Sequence, residues 1–430
     1  MTDSELSARL NPEQFGAVTS RDLRSLVLAG AGSGKTRTLV HRVAWLLSHG
    51  TGPERILLLT FTNKAAREMM ERVAALVPTN LRSLWGGTFH SIANRLLRRH
   101  AREAGYTPAF SILDREDQNA LLKEVSRELA KGRKDFPKPG VLSEILGLAA
   151  NTGVPVERLL ETRFDSLLPQ ADDILSVARH YTARKRESDS MDFDDLLSVA
   201  TRLLREHDEI ARAYRARFRH VLVDEFQDTN RVQSELISLL CGPETALMAV
   251  GDDAQAIYSW RGADPSNLLR FAESKGCAVH RVELNYRSVP EILAVANVVI
   301  NGGDSIDGDE AVAALGKELR AHRPPGGHRP LLATVLDPFA QARFVAAHVC
   351  ALVEEGFAAE EIAVLYRAHF HAMELQMELT RQAIPFRVTS GVRFFEQAHV
   401  KDVVAFLRFA ANPRDEVAFR RIAGMVPGVG

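Results

Sequence analysis

The sequence predicts an α/β protein in which a parallel sheet is covered by helices, carries a helical insertion and is followed by the start of a second α/β unit. Three observations lead there. Short apolar runs alternate with helical patterns over the first hundred residues, the signature of strand–helix–strand units. From about Asp114 to Arg186 the strand pattern stops, and amphipathic helical segments such as Asp117 to Leu129 follow one another. A fresh alternation begins near Leu331.

Taken in order, SLVLA (Ser25 to Ala29) reads as a buried strand, ILLLT (Ile56 to Thr60) as a second, and Asn63 to Val77 as a helix. HVLVDE (His220 to Glu225) and ALMAVGD (Ala246 to Asp252) resume the strand pattern, so the sheet interrupted near Pro108 is completed after the insertion. Beyond Leu284 a polar stretch rich in Gly and Pro, NGGDSIDGDE through HRPPGGHRP, reads as a connector. Leu331 to Val335 and Ile362 to Tyr366 are expected as strands, and Pro338 to Glu355 and Val400 to Ala410 as helices. A doubly wound sheet wants more strands than these, so the second unit is expected to be incomplete.

Composition narrows the function classes. At 430 residues the chain is too long for one ordinary core. Cys241, Cys277 and Cys350 are odd in number and far apart, which fits neither a zinc cluster nor a disulfide framework and points to a reducing, cytoplasmic setting. No apolar run approaches a bilayer span, and a membrane is not expected as a partner. Lys+Arg 54 against Asp+Glu 55 gives a net charge of -1, so any nucleic-acid site must be local. Arg95, Arg98, Arg99 and Arg102 share a helix face, readable as a solvated surface or as a phosphate track.

Chemistry concentrates in three segments. The first strand runs into AGAGSGKT (Ala29 to Thr36) and then a helical run, the context of a phosphate-binding P-loop. Gly30, Gly32 and Gly34 let backbone N–H groups wrap phosphates, with Ala29, Ala31 and Ser33 completing the loop. Lys35 reaches the outer phosphates and the Thr36 hydroxyl ligates Mg2+. Asp224 and Glu225 close the strand HVLV, where the first is expected to bind the metal and the second to act as general base on the attacking water. The third segment, GDDAQAIYSWRGA (Gly251 to Ala263), carries Gln255 as a sensor of the terminal phosphate. Tyr258 and Trp260, two apart on an extended segment beside Arg261, suit base stacking.

Together with LNPEQ, LTFTNKAAREM, GTFHS and LNYRS, these segments resemble the UvrD/Rep group of superfamily 1 DNA helicases, in the order and spacing of that family. The resemblance implies that Gln14 reads the adenine edge, that Tyr286 stacks on the adenine with Arg37 close by, and that Arg287 acts as an arginine finger. It also implies that Phe61, Thr62, Asn63, Thr88 and His90 line the DNA track. The fold it implies is a RecA-like P-loop NTPase domain with a helical insertion, plus an incomplete second RecA-like domain. The expected boundaries are 1–110 and 190–283 for the first domain, 111–189 for the insertion lobe, 284–412 for the start of the second and 413–430 for a further, truncated helical insertion. The function implied for the full-length protein is an ATP- and Mg2+-dependent translocase that moves 3′ to 5′ on single-stranded DNA and unwinds duplex at junctions, with this chain alone expected to be weak or inactive. The family's later motifs, with a second arginine finger, do not occur in the chain. The alternative is therefore a truncated or degenerate module that binds ATP and single-stranded DNA without unwinding.

Overall fold

The computed structural model describes residues 1–129, 135–302, 316–389 and 398–426, and most of the NGGDSIDGDE stretch expected as a connector lies outside the described residues. Ten strands are laid down among them: β1 (Arg24–Ala29), β2 (Ile56–Thr60), β3 (Trp85–Thr88), β4 (Ser111–Leu113), β5 (Ser190–Asp192), β6 (His220–Val223), β7 (Ala246–Gly251), β8 (Cys277–Val282), β9 (Leu284–Asn285) and β10 (Arg320–Ala321). The chain divides into two units, Met1–Gly327 with Val404–Gly430, and His328–Val403.

In the first unit six strands form one sheet in the order β3-β2-β6-β7-β1-β8, every pair parallel, with Leu26 of β1 opposite Ala249 of β7 and Val279 of β8. Strand β1 is buried beyond its first residue. It sends Leu26 and Leu28 into one core and Val27 and Ala29 into the other, the two-residue alternation of a strand covered on both faces. On one face lie helices Phe89–Arg99, Phe193–Glu206 and Arg231–Leu240, anchored by Ile92, Leu197 and Leu236. On the other lie Pro12–Thr19, Lys35–Ser48 and Asn63–Leu76, anchored by Val18, Leu39 and Met69. Each such side chain fully buried is worth about 1.5–3 kcal/mol over an exposed one.

The arginine run predicted on one helix face packs largely on aromatic rings. Arg95 and Arg99 lie 4.2 and 5.0 Å from the centre of the Trp85 ring, and Arg98 lies 3.6 Å from that of Phe110.

The helical block leaves the sheet through β4 and returns through β5, which pair in parallel as a two-stranded stem. Between them, helices Arg115–Leu129, Pro139–Thr152, Val156–Thr162 and Ala171–Glu187 close a separate core around Leu122, Ile145, Leu160 and Tyr181. Helices Ala398–Ala411 and Glu416–Gly424 follow later in the chain. Arg408 pairs with Asp117, and Arg421 pairs with Glu116 at 3.0 Å.

In the second unit, helix Pro338–Glu354, capped by Asp337, packs on helix Met373–Arg381 through Ala346, Val349 and Leu379. Leu331 to Val335 and Ile362 to Tyr366, expected as strands, are not strands here. An extended segment becomes a strand only by exchanging ladder hydrogen bonds, and neither finds a partner among the described residues; Leu332 and Leu365 are 91% and 93% exposed.

At the stem, Lys185 is buried with two carboxylates. Its Nζ donates to Asp192 Oδ2 at 2.6 Å and contacts Asp195 Oδ2 at 2.5 Å, while the Tyr181 hydroxyl donates to Asp192 Oδ2 at 2.8 Å. Burial alone lowers the ammonium's pKa, and the charges of Asp195 and Asp192 outweigh it and hold it above its ordinary value. Asp192 is also the N-cap of Phe193–Glu206, in a capping box with Asp195. Replacing Lys185 by Met strips a shared cation from two buried carboxylates and is expected to cost about 3–5 kcal/mol. Urea unfolding checks this, and an unshifted midpoint at unchanged slope refutes it.

Candidate functional site

Strand β1 ends at Ala29, and the loop to the helix at Lys35 turns on two left-handed glycines, Gly32 at φ 75° and Gly34 at φ 93°. A side chain at Gly34 meets the amide of Gln14 at 2.7 Å, and one at Gly32 meets the Cβ of Arg287 at 2.7 Å. The loop is laced from within, Ser33 Oγ donating to the Gly30 carbonyl at 2.7 Å, and from two distant segments. Gln14 Nε2 donates to the Ser33 carbonyl at 2.8 Å. Asn285 Nδ2 donates to the Ala31 carbonyl at 2.5 Å, and the Tyr286 N–H to the Gly32 carbonyl at 2.9 Å.

A pocket of about 490 Å³ opens beside this loop, lined by Ala31, Gly32, Gly34, Lys35, Thr36, Arg37, Glu225, Gln255, Tyr286 and Arg287, with Glu68 and Arg72 at its rim. Ten of the side chains singled out from the sequence are therefore gathered in one place. Gln14 is not on the wall. It is 1% exposed behind the loop, its oxygen accepting from Asn11 N–H and its nitrogen committed to Ser33. Tyr286 is steadied by Asn11, whose amide donates to the phenol at 3.0 Å, and by the His322 ring at 4.8 Å between centroids.

Lys35 donates to Glu225 Oε2 at 2.7 Å. Glu225 is one of three non-glycine residues with positive φ among the described residues, at 48°, a conformation that costs about 1–3 kcal/mol and recurs at functional sites. Its neighbour Asp224 is buried, with Oδ1 lacking a hydrogen-bond partner. Burial, and then the charge of Glu225, push its carboxyl up to about 7 against the pull of Lys35. The same two causes raise Asp228 to about 6. Gln255 lies on the wall with its amide held by Asp252 Oδ2 at 2.6 Å, and Asp252 is itself gripped by the buried Lys317.

A groove of about 1170 Å³ opens among Phe61, His90, Tyr258 and Trp260, side chains of the stem region such as Asp194, and Arg115, Asn151 and Arg163 of the helical block. Phe61 and Tyr258 stack at 5.6 Å, and Trp260 is 57% exposed. His90 meets Phe193 edge-on at 6.0 Å, and burial lowers its pKa, which favours a neutral ring.

Two expectations need correction. Tyr258 and Trp260 do not sit on an extended segment, because Ser259–Arg261 forms a 3₁₀ turn closed by left-handed Gly262, yet both rings still reach the groove. Thr62, Asn63 and Thr88 are not on the groove wall. Thr62 and Thr88 cap helices, accepting from the N–H of Ala65 and of Ser91, and Thr88 lies 3.5 Å from the Asn63 amide oxygen. The Arg261 side chain lies outside the described residues. Sequence reading missed Asn11, Asn285 and Lys317, whose contacts reach far along the chain, and Gln227, whose partners lie within 25 residues. The asparagine flanking each of Gln14 and Tyr286 was the available signal for the first two.

Comparison with known proteins agrees with this geometry. Residues 10–276 match the UvrD/REP helicase N-terminal domain and residues 280–430 the UvrD-like helicase C-terminal domain. The chain is 38% identical over 434 residues to DNA helicase II of Escherichia coli, covering 98% of this chain and 57% of that protein. It is 38% identical to the ATP-dependent DNA helicase UvrD1 of Mycobacterium tuberculosis (96% and 54%) and 33% identical to the ATP-dependent DNA helicase PcrA of Bacillus subtilis (98% and 56%). It thus spans a little over half the length of these relatives. A P-loop pocket and an aromatic groove on one parallel sheet, matched by family models along nearly the whole chain, make it a member of the UvrD/REP helicase family.

Proposed function

We propose that this chain is the ATP-hydrolysing, strand-gripping part of a DNA helicase that moves 3′ to 5′ on single-stranded DNA. The observation that carries the reading is the presence, on one sheet, of a P-loop pocket holding Lys35 against Glu225 and a groove walled by the Phe61 and Tyr258 stack. Residues 1–110 and 190–283 are read as the first RecA-like domain, 111–189 as its insertion lobe, 284–412 as the opening of a second such domain and 413–430 as the start of a further insertion.

Lys35 exchanges its bond to Glu225 for the outer phosphates of ATP, which frees Glu225 to take a proton from the attacking water. Gln255 and Arg287, on the same wall, face the charge that develops on the transferred phosphoryl group. Tyr286, held by Asn11 and His322, presents a ring to the adenine, and Arg37 borders it. Gln14 supports the loop through Ser33, and the second N–H of its amide is the donor left to read the adenine edge. The donor set fits Mg2+: a buried carboxylate, Asp224, with an oxygen unpartnered, and the Thr36 hydroxyl at the helix start are hard oxygen ligands of the kind that ion takes. Bound there, the ion supplies charge neutralisation on the phosphates. In the groove, Phe61, Tyr258 and Trp260 offer ring faces to successive bases, with His90 on the same wall. Such stacking tolerates any base sequence.

Three measurements test the reading. Single-stranded DNA is expected to stimulate ATP hydrolysis by this chain weakly at most, and Lys35→Ala to lower nucleotide affinity tenfold or more and abolish turnover, since each 1.4 kcal/mol of lost phosphate contact is about tenfold. Binding and turnover that survive Lys35→Ala refute the P-loop assignment, and tight binding of both ligands without hydrolysis favours the non-unwinding module. Trp260→Ala is expected to weaken single-strand binding by about 1–3 kcal/mol with little change in salt slope, and an unchanged affinity discards the stacking role. On biotinylated single strands capped with streptavidin, ATP is expected to speed release from the 5′ end alone, as 3′ to 5′ movement requires. Faster release from the 3′ end reverses the direction.

A further inference from the structure

Gln227 belongs to neither wall, yet it touches both sites. It is 1% exposed. Its Nε2 donates to Glu225 Oε2 at 2.9 Å and to Asp228 Oδ2 at 3.3 Å, and its Oε1 accepts the Asp252 N–H at 3.0 Å. The last bond fixes the amide's orientation, because only the oxygen can accept from an N–H. Glu225 lines the pocket and Asp228 lines the groove, so the two N–H groups of one amide serve one carboxylate in each.

The arrangement has two states. Without a phosphate ligand, Glu225 Oε2 takes both Lys35 and Gln227. Once Lys35 turns to a phosphate, Gln227 remains to orient that carboxylate. At the other end Asp228 Oδ1 has no hydrogen-bond partner, and unpaired adenine, cytosine and guanine carry amino donors. A base amino group bonded to Asp228 would draw on the charge of the carboxylate that Gln227 also bonds, weakening that bond and favouring the one from the same amide to Glu225.

We propose that Gln227 is a positioning residue through which occupancy of the groove sets the orientation of Glu225, and nucleotide in the pocket in turn alters affinity for DNA. The proposal rests on reading the two cavities as nucleotide and single-strand sites. Linkage makes the effect reciprocal, so it is measurable without turnover. The affinity of the full chain for a fluorescent oligodeoxycytidine is measured with and without a non-hydrolysable ATP analogue and magnesium, and the ratio is read within each variant. An altered affinity for either ligand alone then cancels. The ratio is expected to be about fivefold or more in the unmodified chain and to fall below about twofold in Gln227→Met. Asp228→Ala, which leaves no side-chain acceptor for the Gln227 amide on the groove side, is expected to do likewise and decides the matter if Gln227→Met does not fold. Ratios preserved in the folded variants overturn the proposal. So does an unmodified chain that binds both ligands with no mutual effect, which leaves the functional reading standing. Binding of neither ligand by the unmodified chain overturns the functional reading and this proposal with it.

Discussion

All six strands of the main sheet run in the same direction, and the placement of the chemistry follows from that constraint. Parallel strands deliver their carboxyl ends to one edge. There β1 opens into the phosphate loop, β2 into Phe61, β3 into Thr88 and the helix bearing His90, β6 into Asp224 and Glu225, and β7 into the segment holding Gln255. The order β3-β2-β6-β7-β1-β8 decides the rest. It separates β1 from β2 by three strand spacings, about 14 Å, and fills the gap with β6 and β7. The acidic pair is therefore flanked by the pocket on one side and the aromatic groove on the other, and a side chain as short as that of Gln227 can bear on both.

Charge at that edge is unbalanced by design of the sequence. Asp224, Glu225 and Asp228 fall within five residues, and the cation beside them is Lys35. Burial without full compensation is why two of the three carboxyls are pushed upward. Such a cluster is eased by Lys35, by protonation of a carboxyl or by the entry of another cation. On the proposed reading the ion pair is also a lock, because the residue proposed to reach a phosphate is the one bonded to the proposed base beforehand.

What could be read from the sequence divides along physical lines. Strands β1, β2, β6 and β7 were legible because burial on both faces writes a continuous apolar run. Strand β3, WGGT, has two glycines and no such run, and β8, CAVHRV, sits at the sheet edge and carries His280 and Arg281, so neither announces itself. The three-residue strands of the stem are too short to show a period. Within the site, Lys35, Thr36, Asp224, Glu225 and Gln255 were legible because their spacing is fixed by one loop or one strand end. Asn11, Asn285 and Lys317 act across more than 60 residues; each asparagine stands close to a residue already singled out, and nothing local marks Lys317. The Tyr258 and Trp260 spacing was read with a period of two where the backbone takes a 3₁₀ turn. Thr62 and Thr88, expected along the track, also cap helices with their hydroxyls, a role that the family spacing does not reveal.

The pairing of β1 also bears on how the chain comes off the ribosome. Its neighbour β2 in sequence is not its neighbour in the sheet. Arg24 waits for Leu247, so about 220 residues must be made before β1 meets a partner, on the order of 10–45 s at ordinary elongation rates. The helical block, with its own core around Leu122 and Tyr181, is finished well inside that interval. During synthesis the apolar strand that ends in the phosphate loop is the last central strand to be sheltered, a window in which chaperones can act on the nascent chain.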